Sequence, residues 1–490
     1  MPRQMLAPRR AAVCLLFLIG GAPRLASAQE TVLTLRAAVN EALSKNERLV
    51  NQKDVGTQAD LGLRLARNSF RPKIVPNVLG SFGSTDINSQ TYRVDVSQKL
   101  TTGTELKVGV GTATSQIPAG PASGPVDIHF YNADTTVSLT QPLLRGFGPS
   151  VARRPLDAAE LRRHDADRQQ ILAEQQVAVD VASAYYRLVS QQNFVTVAQR
   201  SLDRSRKLRD ASEAKLGTGL VSQLDVLRAQ QLVAQAEIQV FDAQAAVEDA
   251  RDRLLFLMGH PSGEAFDVDQ TIPANVDTLS AEDAVALAMT RRLDLQGASA
   301  DAADADRQIK YTRNQLLPQV DVNLVYTRRE TADSFVSSFG LDRFRFATFF
   351  TISSPIDRTA QEVDYQNSVI DRDRRYRDLE TIRRRIADDV RRAVRDRDRL
   401  LRLMTAAETA VTISERQVEV AQLRYERGLS NNLDVVTAEN DLLSAESRRS
   451  AAAAEYAVAQ LTLRATVGVL NPRADLAAPV TGTPTDELKP

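Results

Sequence analysis

The stretch Gly219-Leu220-Val221-Ser222-Gln223-Leu224-Asp225-Val226 returns, 209 positions later, as Gly428-Leu429-Ser430-Asn431-Asn432-Leu433-Asp434-Val435. Each copy holds a glycine able to end one helix in the left-handed conformation and, three residues on, Ser222 or Asn431 to cap the next. Each therefore reads as the tight tip of a helical hairpin. Ala229 and Gly259 recur as Ala438 and Gly468 at the same shift, so the likeness runs on through the returning helix.

Further out, a shift of 246 places Leu33, Ala38, Val39, Ala42, Leu49, Asn68 and Pro72 on Leu279, Ala284, Val285, Ala288, Leu295, Asn314 and Pro318. The order of the matched blocks is the same in both halves, which is the mark of a tandem duplication. The repeats span 29–270 and 271–470, with a tail at 471–490, and the stretch between the matched blocks is 37 residues longer in the first half (246 minus 209).

Each half reads as helix, strands, long helix, tip, helix. Thr34 and Ser280 are natural caps for opening helices that run to about Asn68 and Gln315. Strands are expected over about 74–141 and 319–353, where the period drops to two: Tyr92, Val94 and Val96 alternate with Arg93, Asp95 and Ser97, and Val320, Val322 and Leu324 with Gln319, Asp321 and Asn323. Phe344, Phe346, Phe350 and Ile352 continue the pattern, with Phe349 as an exception. Past Pro142 and Pro355 the period is helical again, through Val177, Val181, Ala184 and Leu188 and through Ile382, Ile386, Val390 and Val394. The hairpins are placed at about 157–259 and 358–468. Their first arms, roughly 60 to 70 residues at ~1.5 Å each, are rods on the order of 90 to 105 Å long. Such rods with a narrow apolar seam do not belong to a globule, and the charge run Asp371 to Arg399 reads as their solvated face.

With 62 basic and 62 acidic residues the chain offers no general attraction to nucleic acid. Residues 1–28 read as a secretory signal peptide: Arg3, Arg9 and Arg10, an apolar run from Ala11 to Ile19, then Ala26-Ser27-Ala28. Cys14, the only cysteine, lies inside it, so the exported chain is expected to hold no disulfide, thiolate metal site or lipid anchor. Past it no window approaches the ~20 apolar residues of a spanning helix. Four to six strands per chain fall short of the ~8 of the narrowest barrel, and open strand edges cannot sit in lipid. Several chains must share one barrel.

The whole chain past the signal resembles TolC-like outer-membrane efflux proteins. The resemblance is carried by the doubled plan, the two tips, and the strand-to-helix junction Ser138-Leu139-Thr140-Gln141-Pro142-Leu143-Leu144-Arg145-Gly146 with its counterpart Ser353-Ser354-Pro355-Ile356. It implies a mainly α fold with a membrane β-barrel segment: a homotrimer with a barrel shared in outer-membrane lipid and a helical tunnel reaching into the periplasm. It also implies a periplasmic adaptor (membrane fusion) protein and an inner-membrane transporter as partners, in efflux or type I secretion. Gly219, Leu220, Val221, Ser222, Leu224, Gly428, Leu429, Ser430 and Leu433 are then adaptor-contacting tip residues. In the family a tyrosine before the second tip bonds an aspartate of the first and helps hold the entrance shut, and Tyr425 and Asp225 match those positions. Asp434 matches one aspartate of the entrance ring, whereas Thr437 replaces the other and Ser430 replaces a usual arginine. The family norm is two strands per half, so the stretch Thr91 to Thr114, with a hairpin-like Leu100-Thr101-Thr102-Gly103-Thr104 centre, either adds strands or lengthens a pair above the membrane.

No catalysis and no cofactor are expected. His129, His164 and His260 are far apart in sequence, and no HExxH, zinc pair or serine elbow is present. Gly146-Phe147-Gly148 lacks the lysine of a phosphate loop, and Asp301, Asp304 and Asp306 read as a solvated helix face rather than a calcium site. The rival reading is a periplasmic coiled-coil scaffold without a pore, which the period-two segments oppose. A single-chain porin would need many more strands.

Overall fold

In the computed structural model, which describes residues 32–81, 88–117, 128–264, 266–272, 279–332 and 345–473, each half opens on a capped helix. Thr34 accepts from the Ala37 N–H and Ser280 from the Asp283 N–H. The expected single opening helix is in each half two: α1 (Leu35–Lys45) and α2 (Glu47–Asn68), then later α6 (Ala281–Arg291) and α7 (Leu293–Gln315). The break lies at Asn46 and Arg292, whose backbones are extended. Asn46 accepts from the Arg48 N–H and donates to the Leu257 carbonyl at 2.7 Å; Arg292 grips Asp294 and the Thr466 carbonyl. A long-range partner thus outweighs helix continuation at each position. The signal segment and most of the tail lie outside the described residues.

The first half continues through β1 (Lys73–Ser81), β2 (Asn88–Lys99), β3 (Glu105–Ile117) and β4 (Ile128–Pro142), then α3 (Pro149–Ala152), α4 (Arg154–Gly217) and α5 (Gln223–Met258). In the second half β5 (Gln319–Ala332) and β6 (Arg345–Ser353) lead to α8 (Thr359–Glu426) and α9 (Asn432–Val467). The Thr91 to Thr114 segment therefore adds strands: β2 and β3 lie within one six-stranded antiparallel sheet of order β1-β2-β3-β4-β5-β6. Their turn is closed by Leu100 N–H donating to the Thr104 carbonyl at 2.8 Å. It packs against the junction so closely that a β-carbon on Gly103 would strike the Gly146 carbonyl.

The register sorts the period-two pattern onto two faces. One cross-strand row reads Ile74, Val96, Val108, Val137, Tyr326, Phe346, all aliphatic or aromatic. The row on the opposite face reads Asn77, Arg93, Gly111, Asp134, Arg329. There Arg93 spans from Asp95 at 2.7 Å to Asp134 at 2.6 Å, and a β-carbon on Gly109 or Gly111 would collide with this ion cluster or crowd it.

Below the sheet the helices pack side by side as one layer of four rods. α5 with α1 and α2 packs on α4, α4 on α9 and α7, and these on α8. At 64 and 68 residues, α4 and α8 span ~96 and ~102 Å, and the 36-residue α5 and α9 ~54 Å each, so the shorter helices stack to match them. Val177, Val181 and Leu188 on α4 and Ile386, Val390 and Val394 on α8 are buried, as the seam pattern requires. Where α1, α4 and α5 meet, the Tyr185 hydroxyl lies 3.0 and 2.9 Å from the carbonyls of Leu33 and Asp269, and burial pushes its pKa up to about 12. Asp304 departs from the expected solvated face: both its oxygens take the Arg154 guanidinium, tying α7 to α4. Among the described residues no helix is long and apolar enough to cross a membrane.

Both layers stop short of closure on the same sides. β1 and the α2–α5 stack form one flank, and β6 and α8 the other. Apolar side chains stand exposed on both: Leu61, Leu65, Ile238 and Phe241 on the first, Ile370, Ile413 and Val420 on the second.

Candidate functional site

The two tips lie side by side at the end of the rods far from the sheet. Gly219 and Gly428 take φ of +72° and +71°, the left-handed region in which a side chain is disfavoured. Leu220 N–H returns to the Lys215 carbonyl at 3.0 Å and Leu429 N–H to that of Arg424 at 2.8 Å, closing each helix in the same way. Ser222 then starts α5 in a reciprocal cap: its hydroxyl accepts from the Asp225 N–H, and the Asp225 carboxylate accepts from the Ser222 N–H. The second tip differs. Asn431 stands at the cap position of α9 without a side-chain capping bond, and Ser430 donates instead to the Asp434 carboxylate at 2.7 Å. Val221 packs on the small core beneath the tips, while Leu220, Leu224, Leu429 and Leu433 are exposed.

The pairing of Tyr425 with Asp225 that the resemblance implied is absent. The Asp225 carboxylate is bonded by the Ser222 cap and lies 3.7 Å from Arg228, and the Tyr425 hydroxyl is turned to another partner. Tyr425, 4% exposed, places its hydroxyl 2.8 Å from Ser212 Oγ on α4. Ser212 has one proton, and the Leu208 carbonyl at 2.8 Å accepts it in the usual helical back-bond. The serine oxygen then accepts from Tyr425 Oη–H and, at 3.2 Å, from Asn432 Nδ2. The second amide proton of Asn432 goes to the Asp225 backbone carbonyl at 2.8 Å. Asp225 is thus joined to the second hairpin through its main chain. Lys215 completes the contact, its ammonium 2.6 Å from the Tyr425 carbonyl and 4.1 Å from the centre of the Tyr425 ring.

Sequence reading missed Ser212, Lys215 and Asn432. Ser212 and Asn432 are fully buried polar residues; Ser212 lies one helical turn before Leu216, at the position where the second hairpin has Ala421. That break in the internal repeat was the available signal.

Higher along the rods, Arg204 on α4 donates to the buried Glu439 on α9 at 2.6 Å. Glu446, two turns on, has its pKa raised by burial against the opposing pull of Arg204, Arg449 and Arg200. His260 sits between Glu41 at 2.8 Å and Glu264 at 2.9 Å, and its pKa is raised chiefly by the Glu41 hydrogen bond. Among the described residues no group of histidine, cysteine, aspartate and glutamate side chains is arranged to hold a metal ion.

A sheet with one apolar face, joined to rods of ~100 Å that end in paired tips, defines a channel-forming protein of the outer-membrane type. The chain matches the family described as outer membrane efflux protein over residues 105–260 and 284–469, and it belongs to that family. It is accordingly a protein of the outer membrane that extends into the periplasm. It is 27% identical over 210 residues to nodulation protein T of Rhizobium leguminosarum bv. trifolii, a match that spans 42% of that protein's length. Its fold is that of the Vibrio cholerae outer membrane protein VceC (TM-score 0.66, 16% identity, 89% of this chain and 96% of that one). It is likewise that of the Neisseria gonorrhoeae MtrE outer membrane channel, solved in an open state (TM-score 0.63, 19% identity, 89% of each chain).

Proposed function

We propose that the chain is the passive exit duct of a tripartite efflux or type I secretion system. Three copies close a shared barrel and a periplasmic tunnel, a periplasmic adaptor docks on the tips, and an inner-membrane transporter supplies the energy. The observation that carries this reading is the coincidence of open edges: the sheet and the rod layer are both incomplete on the same two flanks, and both flanks carry exposed apolar side chains. Open sheet edges are not tolerated in lipid, so a ring of copies is the arrangement that satisfies both layers. A pore-free scaffold gives no reason for a six-stranded sheet with an apolar face.

In this reading the exposed Leu220, Leu224, Leu429 and Leu433 are the adaptor-facing side chains, and Asp434 is the carboxylate that each copy contributes to the entrance ring. The gate is the contact among Tyr425, Ser212, Asn432, Lys215 and the Asp225 backbone, which holds the two tips of one copy together. The test is accumulation of a transporter substrate in cells lacking this chain. Wild-type chain is expected to restore export, and a Leu220→Asp, Leu429→Asp double variant to reach the outer membrane without restoring it. Export that proceeds unchanged without the chain would contradict the reading.

A further inference from the structure

We propose that each copy contributes all six strands to the membrane, so that three copies close an eighteen-stranded barrel whose seams pair β6 of one copy with β1 of the next, with Phe349 seated between Val75 and Leu79 on the lumen side. The count rests on the trimer reading above; the seam geometry is drawn from the sheet alone.

β1 and β6 are the two edges, each nine residues long, and β1 runs away from the helices while β6 runs back toward them, the senses needed for an antiparallel seam. A single hydrogen-bonding line runs Lys73–Ser97–Lys107–Ser138–Val325–Ala347 across the sheet. Ser353, at the helix end of β6, lies six residues below Ala347, just as Lys73 is the helix end of β1. Levelling Ser353 with the next copy's Lys73 sets a stagger of six residues per six strands. With ~3.3 Å along a strand and ~4.8 Å between strands, that stagger gives a tilt of ~35°, within the range at which barrels close.

The same register explains the residues that break the two-faced pattern. Val75 and Leu79 on β1 and Phe349 on β6 are exposed apolar side chains on the face that elsewhere carries Arg93, Asp95 and Asp134. With Ser353 beside Lys73, Phe349 falls opposite Asn77, flanked by Val75 and Leu79, the diagonal contacts that aromatic side chains make across strands. On the other face Ile352 meets Ile74. β2 and β3 carry the lipid-suited face as fully as the other strands, through Val94, Val96, Val108 and Val110. At this tilt eighteen strands give a backbone diameter of roughly 33 Å, against ~22 Å for twelve, so the barrel is wide and the tips are the narrow point.

The chain has no tryptophan, which permits single-tryptophan variants. Val94→Trp and Val110→Trp in the full-length protein, reconstituted in phosphatidylcholine vesicles with bromine-labelled acyl chains, are expected to lose emission as fully as Val137→Trp on β4, with Thr136→Trp unaffected. An Asn77→Cys, Phe349→Cys double variant, which joins the two positions that this register sets directly opposite each other, is expected to yield covalent trimers on oxidation, with neither single variant doing so. Native mass of the same preparation separates the outcomes. Trimers in which the Val94→Trp and Val110→Trp variants keep their emission while Val137→Trp loses it would place the extra hairpin outside the membrane and overturn the proposal while leaving the trimer reading intact. A mass other than three chains would overturn both.

Discussion

Replacing Ser212 with alanine removes one oxygen and leaves two buried donors, Tyr425 Oη–H and one Asn432 N–H, without an acceptor. Each such group costs about 1–3 kcal/mol, so contact between the tips weakens by about 2–6 kcal/mol. About 2 kcal/mol already shifts a two-state ratio roughly thirtyfold. Tyr425→Phe removes one of the two donors and leaves Asn432 bonded, so its cost is about 1 kcal/mol. Asp225→Ala loses the carboxylate half of the α5 cap, about 1 kcal/mol, but keeps the Ser222 half and the main-chain carbonyl that Asn432 uses. Single-channel open probability in planar bilayers is therefore expected to rise most for Ser212→Ala. A double-mutant cycle should give strong coupling between Tyr425 and Ser212 and almost none between Tyr425 and Asp225. The reverse coupling pattern, or equal open probability for Ser212→Ala and wild type, would refute the assignment of Ser212 as the shared acceptor.

Gly428→Ala, at φ +71°, is expected to cost about 1 kcal/mol and to lower the thermal midpoint in calorimetry without changing the oligomeric mass. The raised pKa of His260 means that its ion pairs with Glu41 and Glu264 stabilise the fold fully below its ordinary value of 6.5 and fade as pH rises through the raised folded value. His260→Gln should thus lower the thermal midpoint in acid and leave it unchanged in alkali. Glu446 has the opposite consequence: a carboxyl whose folded pKa is raised from 4.5 penalises the fold once it ionises, so Glu446→Gln is expected to stabilise at pH 7 and to be neutral at pH 4, read by the same midpoint. Tyr185→Phe should destabilise by about 1–2 kcal/mol in denaturant unfolding, because the carbonyls of Leu33 and Asp269 lose their shared donor.

Features governed by local chemistry were legible in the sequence. The caps at Thr34, Ser222 and Ser280, the glycine turns and the seams through Val181 and Val390 stand where periodicity and capping put them, because each depends on neighbours within a few residues. The kinks at Asn46 and Arg292 were not legible, since their partners Leu257 and Thr466 are 211 and 174 residues away. The Tyr425 contact failed for a related reason. Asp225 closes the local cap with Ser222, and the tyrosine meets a serine on another helix, 213 residues away in sequence. Phe349 looked like an irregularity of the strand pattern, and its meaning emerges only when the edge strands are identified.

Copies of this chain are proposed to join as a duct through the outer membrane. The most direct test of that proposal is the planar-bilayer conductance of the detergent-purified protein, with the native mass taken from the same preparation. A mass of three chains and discrete conductance steps are expected, with open time increased in Ser212→Ala. A monodisperse preparation of single chains, or a trimer that carries no current even as Ser212→Ala, would contradict it.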